Sequence, residues 1–143
     1  MRTVKQLLDA KGRRVVAIAP EEPVLEAIQL MADHHIGAVL VMRGDELAGI
    51  LSERDYARKV ILKGRSSAET CAWEIMSSPV RTVGPHDTLH TCMRLMTEER
   101  FRHLPVVEDG RVTGMLSIGD LVKSLIEEQQ QEIAQLQQYI TAG

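Results

Sequence analysis

The residues best suited to chemistry occur twice. Gly49-Ile50-Leu51-Ser52-Glu53-Arg54-Asp55 and Gly114-Met115-Leu116-Ser117-Ile118-Gly119-Asp120 share one pattern, Gly-apolar-Leu-Ser-x-x-Asp. A serine with an acid three residues on resembles a capping box, worth about 1 kcal/mol to the helix it opens. The same pair suits a nucleoside phosphate. A helix start offers unpaired backbone N–H groups and a partial positive charge, both of which favour phosphate. The serine hydroxyl adds a donor. A carboxylate one turn in accepts hydrogen bonds from two adjacent ribose hydroxyls. Spacing alone leaves the cap and the ligand grip both open.

Basic groups accompany the second copy. Arg100-Phe101-Arg102-His103-Leu104-Pro105 leads into a strand, where the first copy has His35-Ile36-Gly37-Ala38-Val39-Leu40. Arg102 and His103 can donate to phosphate oxygens, and a solvated basic edge is the plainer alternative. Other reactive types carry less. His34-His35 and the pair His86/His90 read as surface residues, and no second ligand stands at zinc spacing. Cys71 and Cys92 are far from a Cys-x-x-Cys spacing, and two cysteines make no disulfide framework. Cys92 lies among Thr91, Met93, Leu95 and Met96 and reads as an inert core thiol. No nucleophile stands beside a base, and neither a P-loop nor G-x-G-x-x-G is present. His90 and Cys92 are too close in sequence to share a helix face. The chain is expected to be no enzyme and to require no metal.

Composition narrows the classes further. A chain of 143 residues builds one domain with a sizeable core. Aromatic residues make up 3%, too few for a stacking platform on single-stranded nucleic acid. The formal net charge of -3 gives no global attraction for DNA, RNA or anionic lipid. No run approaches the ~18 apolar residues of a membrane span. Met1 to Ala10 is amphipathic, without the apolar stretch or cleavage site of a leader. A cytoplasmic location is the expectation.

The elements that must position these residues are duplicated. Sliding the sequence by 65 positions aligns two halves without a gap. Over residues 15–61 ten of 47 pairs are identical, among them Pro20/Pro85, Met31/Met96, Gly49/Gly114, Ser52/Ser117 and Asp55/Asp120. Average residue usage predicts roughly three. Each copy reads as strand, helix, two strands and helix. The first strands are predicted at Val15 to Ala19 and Val80 to Val83. The next helices show apolar stripes at Val24, Ala27, Ile28, Met31 and at Leu89, Cys92, Met93, Met96. Pro23 suits the first turn of one, and Asp87 the cap of the other. Hairpins are predicted at Gly44-Asp45 and Asp109-Gly110. Each copy thus predicts a three-stranded sheet with one open apolar face, buried by packing against its twin. Lead-in helices are read at Val4 to Leu8 and around Trp73 to Met76. After the second copy the last helix is read on through Ile140, with a narrow apolar seam at Ile126, Ile133, Leu136 and Ile140. The seam suits either packing on its own domain or pairing with another subunit.

Together these features resemble a tandem pair of CBS (cystathionine-β-synthase) domains, often called a Bateman module. The resemblance covers about residues 4 to 127. It is carried by the duplicated Ser-x-x-Asp, the His103-Leu104-Pro105-Val106-Val107 strand and the 65-residue offset. The run Ser52 to Lys59 is similar to stand-alone bacterial members. The implied fold class is α/β (α+β), with two pseudo-symmetric β-α-β-β-α repeats packed sheet to sheet and an extended C-terminal helix. The implied organisation is a single module over 1–143, with repeat one at about 4–62, repeat two at about 69–126 and the C-terminal helix at 127–143.

The resemblance further implies a regulatory, non-catalytic binder of an adenosine ligand, namely AMP, ADP, ATP, NAD or S-adenosylmethionine, in the cleft between repeats. One cleft would use Ser117, Asp120, Arg102 and His103, with adenine near Val16, Ala17, Ile18, Ile36 and Ala38. The other would use Ser52, Arg54 and Asp55, with Arg58 and Lys59 reaching further phosphates. Its adenine would lie near Arg81, Thr82, Val83, Phe101 and Pro105. Gly37-Ala38 stands where the second copy has Arg102-His103, so the two clefts are expected to differ. Expected partners are the ligand, a second copy in a homodimer or larger homo-oligomer, and a regulated protein. The competing expectation is a dimerisation scaffold in which Ser-x-x-Asp only caps helices.

Overall fold

Local pattern and tertiary pairing meet first at the turns. Gly44 (φ +62°) and the pair Asp109-Gly110 (φ +52° and +77°) adopt the left-handed backbone that tight hairpins demand. A computed structural model of the chain describes residues 1–142. It contains two units, each with its own core.

The first holds Arg14–Arg81 with Asp109–Thr113 and is called the Asp55 unit. Its three-stranded sheet has the order β1 (Ala17–Ile18), β2 (Ala38–Arg43), β3 (Glu46–Ser52). β1 runs parallel to β2, pairing Ala17 with Leu40, and β2 runs antiparallel to β3, pairing Ala38 with Ser52. Between β1 and β2 lies α2 (Val24–His34), whose stripe Val24, Ala27, Met31 is buried. Pro23 is its N-cap, one residue before the expected first-turn position. After β3 come a short helix α3 (Glu53–Tyr56), continued by a π-helical turn over Ala57–Ile61, and then α4 (Ala72–Ile75). Leu51, Val60, Ala72 and Ile75 close the core against Val39 and Val41.

The second, the Asp120 unit, holds Met1–Arg13, Thr82–Glu108 and the chain from Gly114 onward. It contains α1 (Val4–Lys11), α5 (Leu89–Glu99), β4 (His103–Glu108) and α6 (Ile118–Ala142), which continues from β5 (Arg111–Ser117). β4 and β5 make a two-stranded sheet. The core joins Val4, Leu7 and Leu8 of α1 to Leu89, Cys92, Met96, Leu104, Leu116 and Leu121.

The first strands are shorter than their apolar runs predict. β1 has two residues, and Val83 makes only an isolated parallel bridge with Val106, so only the Asp55 unit has a three-stranded sheet. Beyond each strand the chain turns away from the ladder. Glu22 N–H turns back to the Ala19 carbonyl at 3.2 Å. Gly84 N–H is held by Asp87 at 2.7 Å and Pro85 has no N–H, so neither ladder continues. The cap of α5 also differs from expectation, because that bond removes Asp87 from the role. Thr88 caps α5 instead, accepting Thr91 N–H at 3.2 Å.

The lead-in helices are exchanged. α1 precedes the first repeat but folds with the second, where Thr3 bridges Thr88. α4 precedes the second repeat but folds with the first, where Cys71 bridges Pro23. Each presses a side chain onto a repeat glycine. A Cβ at Gly114 would lie 2.8 Å from Leu8 Cδ1, and one at Gly49 would lie 2.5 Å from Met76 Sδ.

Candidate functional site

Each Ser-x-x-Asp sits where a strand hands over to a helix, and each is a full capping box. Ser52 Oγ accepts Asp55 N–H at 3.2 Å, and Asp55 Oδ2 accepts Ser52 N–H at 3.0 Å. Ser117 Oγ accepts Asp120 N–H at 3.1 Å, and Asp120 Oδ2 accepts Ser117 N–H at 2.9 Å. The residue at the head of the preceding strand pair helps. Gly37 C=O accepts Glu53 N–H at 3.0 Å, and Arg102 C=O accepts Ile118 N–H at 2.9 Å. Gly37, Ala38, Ser52 and Asp55 are therefore neighbours in one unit, and Arg102, His103, Ser117 and Asp120 are neighbours in the other.

Beyond the cap the two carboxylates diverge. Asp55 is used on both oxygens: Oδ2 also accepts Ser52 Oγ at 3.0 Å, and Oδ1 accepts Ser77 Oγ at 3.1 Å and pairs with Lys59 Nζ at 3.0 Å. Its side chain is 12% exposed, against 28% for Asp120. Asp120 Oδ2 takes Lys11 Nζ as an ion pair, while its Oδ1 has no hydrogen-bond partner among the described residues. Lys11 is anchored from the other side by the Met115 carbonyl at 2.7 Å. Burial pushes the Asp120 carboxyl up, but the hydrogen bonds from Lys11 and Ser117 and the Lys11 charge outweigh it, leaving a net lowering. The group is a carboxylate at neutral pH.

His103 is half-buried beside this carboxylate. Burial lowers its pKa, Lys11 and Arg102 lower it further, and Asp120 opposes them. The imidazole is therefore neutral at pH 7, able to donate from one nitrogen and accept at the other. Arg102 is exposed. The Asp120 end thus offers one open carboxylate oxygen, a neutral imidazole, an exposed guanidinium and an ammonium.

The remaining expected site residues divide by unit. Val16, Ala17, Ile18 and Ile36 lie in the Asp55 unit with Arg54, Arg58, Lys59 and Arg81. The Val16 carbonyl accepts Leu40 N–H at 3.0 Å, placing Val16 to Ile18 alongside β2. Thr82, Val83, Phe101 and Pro105 lie in the Asp120 unit, where the Pro105 carbonyl accepts Val83 N–H at 3.1 Å. Arg54 and Arg58 are exposed. Lys59 is committed locally, holding the Ile75 carbonyl at 3.0 Å as well as Asp55. Lys11 and Ser77 were not legible as site residues. Lys59 announces itself by its i,i+4 spacing from Asp55, but Lys11 is 109 residues from Asp120 and carries no local signal.

Other reactive groups are quiet. Cys92 is fully buried, and burial with the nearby Asp87 charge pushes its thiol up to about 11. Among the described residues no three His, Cys, Asp or Glu side chains cluster as a metal site, and no helix is long and apolar enough to cross a membrane.

Two pseudo-equivalent copies, each ending in a capped Ser-x-x-Asp, define a CBS pair. The CBS domain profile matches residues 5–62 and 72–127, and the chain belongs to this family. It is 37% identical over 150 residues to the mitochondrial CBS domain-containing protein CBSX3 of Arabidopsis thaliana, covering 99% of this chain and 73% of that protein. A CBS-domain protein from Burkholderia ambifaria MC40-6 superposes with a TM-score of 0.86 at 51% identity, covering 90% of this chain and 96% of the other. The CBS domain protein PAE2072 from Pyrobaculum aerophilum, solved in complex with AMP, superposes with a TM-score of 0.74 at 25% identity, covering 83% and 89%.

Proposed function

We propose that this chain is a non-catalytic regulatory module that binds an adenosine phosphate through its Asp120 end, with AMP the first candidate. The observation that carries this reading is the unequal state of the two carboxylates. Asp55 is saturated by its own unit, whereas Asp120 keeps Oδ1 open beside Arg102 and His103. One carboxylate oxygen has two lone pairs and can accept both vicinal hydroxyls of a ribose. Arg102 and the N-terminus of α6 supply positive charge for phosphate. The AMP complex of the Pyrobaculum aerophilum relative supports the ligand class. Binding would shift self-association or the affinity for a regulated protein by its difference in affinity between states. In this reading the nucleotide, NAD included, is a regulatory ligand and not a catalytic cofactor.

Calorimetry with AMP, ADP, ATP and NAD tests the assignment. Asp120→Asn is expected to weaken AMP binding at least ~10-fold, the loss of hydrogen bonds to a charged acceptor. Asp55→Asn should change it by less than about threefold, because its carboxylate is spoken for. Equal losses in both variants, or two equal independent sites in the parent, would refute the asymmetry. A second reading, the dimerisation scaffold, is favoured by the complete capping box in both copies. It requires that no adenine nucleotide shift the melting temperature.

A further inference from the structure

The last helix outruns its own core. Arg2 ties α6 to the Asp120 unit through Ser124 Oγ at 2.9 Å and Glu127 Oε2 at 3.2 Å. From Gln129 to Thr141 every residue is exposed. A free helix of that length is marginal in water without a packed face. Yet apolar side chains persist along it: Val122, Ile126, Ile133, Leu136, Tyr139 and Ile140 are 43% to 80% exposed.

Their spacing names the face. Val122, Ile126, Gln129, Ile133, Leu136 and Ile140 succeed one another at intervals of 4, 3, 4, 3 and 4. That is an unbroken heptad seam, with Ile126, Ile133 and Ile140 at a and Val122, Gln129 and Leu136 at d. We propose that α6 pairs with α6 of a second copy of this chain, in parallel and in register, as a two-stranded coiled coil.

Three features favour this occupant. Isoleucine at every a position, with leucine at one d position and isoleucine at none, is closer to the two-stranded parallel pattern than to that of trimers or tetramers. Gln129 is the only polar residue in the seam, and it sets the alignment. In a parallel, in-register pair it meets its own twin, and two primary amides can each donate and accept. In an antiparallel pair a layers face d layers, so Gln129 would lie against isoleucine with its amide unsatisfied. A shift by one heptad would set it against Val122 or Leu136 with the same penalty. Finally, the five apolar seam residues are 43% to 75% exposed, and a second copy laid along the seam would cover all five together. The like charges are kept apart, since Glu132 at g faces Gln137 at e of the partner helix. The pairing does not depend on the ligand reading.

Sedimentation velocity on the full chain, with and without Ile133→Glu, tests it. The substitution places two carboxylates in one a layer and should halve the assembly mass. Ile133 lies beyond the core, so the variant should keep the parent's melting profile at high dilution. Gln138→Glu, on the opposite face of α6, should leave the mass unchanged. Orientation is read separately: Leu136→Cys, oxidised, should give a disulfide-linked dimer that the parent, with Cys71 and Cys92, does not form. A mass unmoved by Ile133→Glu overturns self-pairing through this seam, including the case of a monomeric parent whose seam serves another protein. A dimer that Leu136→Cys fails to cross-link overturns the parallel register.

Discussion

Asp55 and Asp120 hold the same place in two copies of one motif, and their neighbours give them different work. Asp55 accepts from Ser52, Ser77 and Lys59 and is largely shielded from water. Its removal takes the acceptor from two hydroxyls and the counter-charge from Lys59, which keeps the Ile75 carbonyl. Asp55→Ala is therefore expected to cost about 2–4 kcal/mol in urea denaturation, clearly more than Asp120→Ala. Equal costs for the two would contradict the difference in burial. His103 carries a pH signature. Burial holds its folded-state pKa below the ordinary ~6.5, so the unfolded chain binds the proton more readily. Stability is then full above ~6.5 and is lost as pH falls through the folded value. His103→Gln should flatten this part of the melting-temperature curve in the absence of ligand. An identical slope in parent and variant would assign the acid sensitivity to other groups.

At the scale of elements, the exchanged lead-in helices explain the duplicated glycine. Gly49 and Gly114 are not at positive φ, so no turn requires them. They are small because Met76 and Leu8 press against them. Gly114→Ala and Gly49→Ala are each expected to destabilise by ~1–3 kcal/mol, the usual cost of overpacking. Leu8→Ala should relieve part of the Gly114→Ala penalty, so the double variant is less unstable than the two single losses combined. Strict additivity in a urea double-mutant cycle would show that Leu8 is not what excludes the methyl group. The terminated first strands belong to this scale too. The run Val80 to Val83 reads as a strand in the sequence, but Asp87 and Pro85 withdraw the N–H groups just past Val83, so the ladder stops there.

For the molecule as a whole, a ligand that binds only the folded chain must raise its stability. At ~100 times its dissociation constant, AMP should add about 2.7 kcal/mol, several degrees in the melting temperature of a chain this size. The gain should disappear in Asp120→Asn. An undiminished gain there would move the site elsewhere.

The order of elements, the hairpin turns, the capping boxes and the 65-residue repeat were legible in the sequence, because each depends on local pattern. A period of 3.6, a serine three residues before an aspartate and a Gly-Asp turn are local physics written in local order. The state of the two carboxylates was decided by tertiary structure. Lys11 reaches Asp120 only because α1 folds with the second repeat, and Ser77 reaches Asp55 only because the chain beyond α4 returns to the first. No spacing rule joins residues 109 positions apart. The sequence therefore announced two copies of Ser-x-x-Asp, and long-range packing determined that one closes on itself while the other keeps an oxygen open.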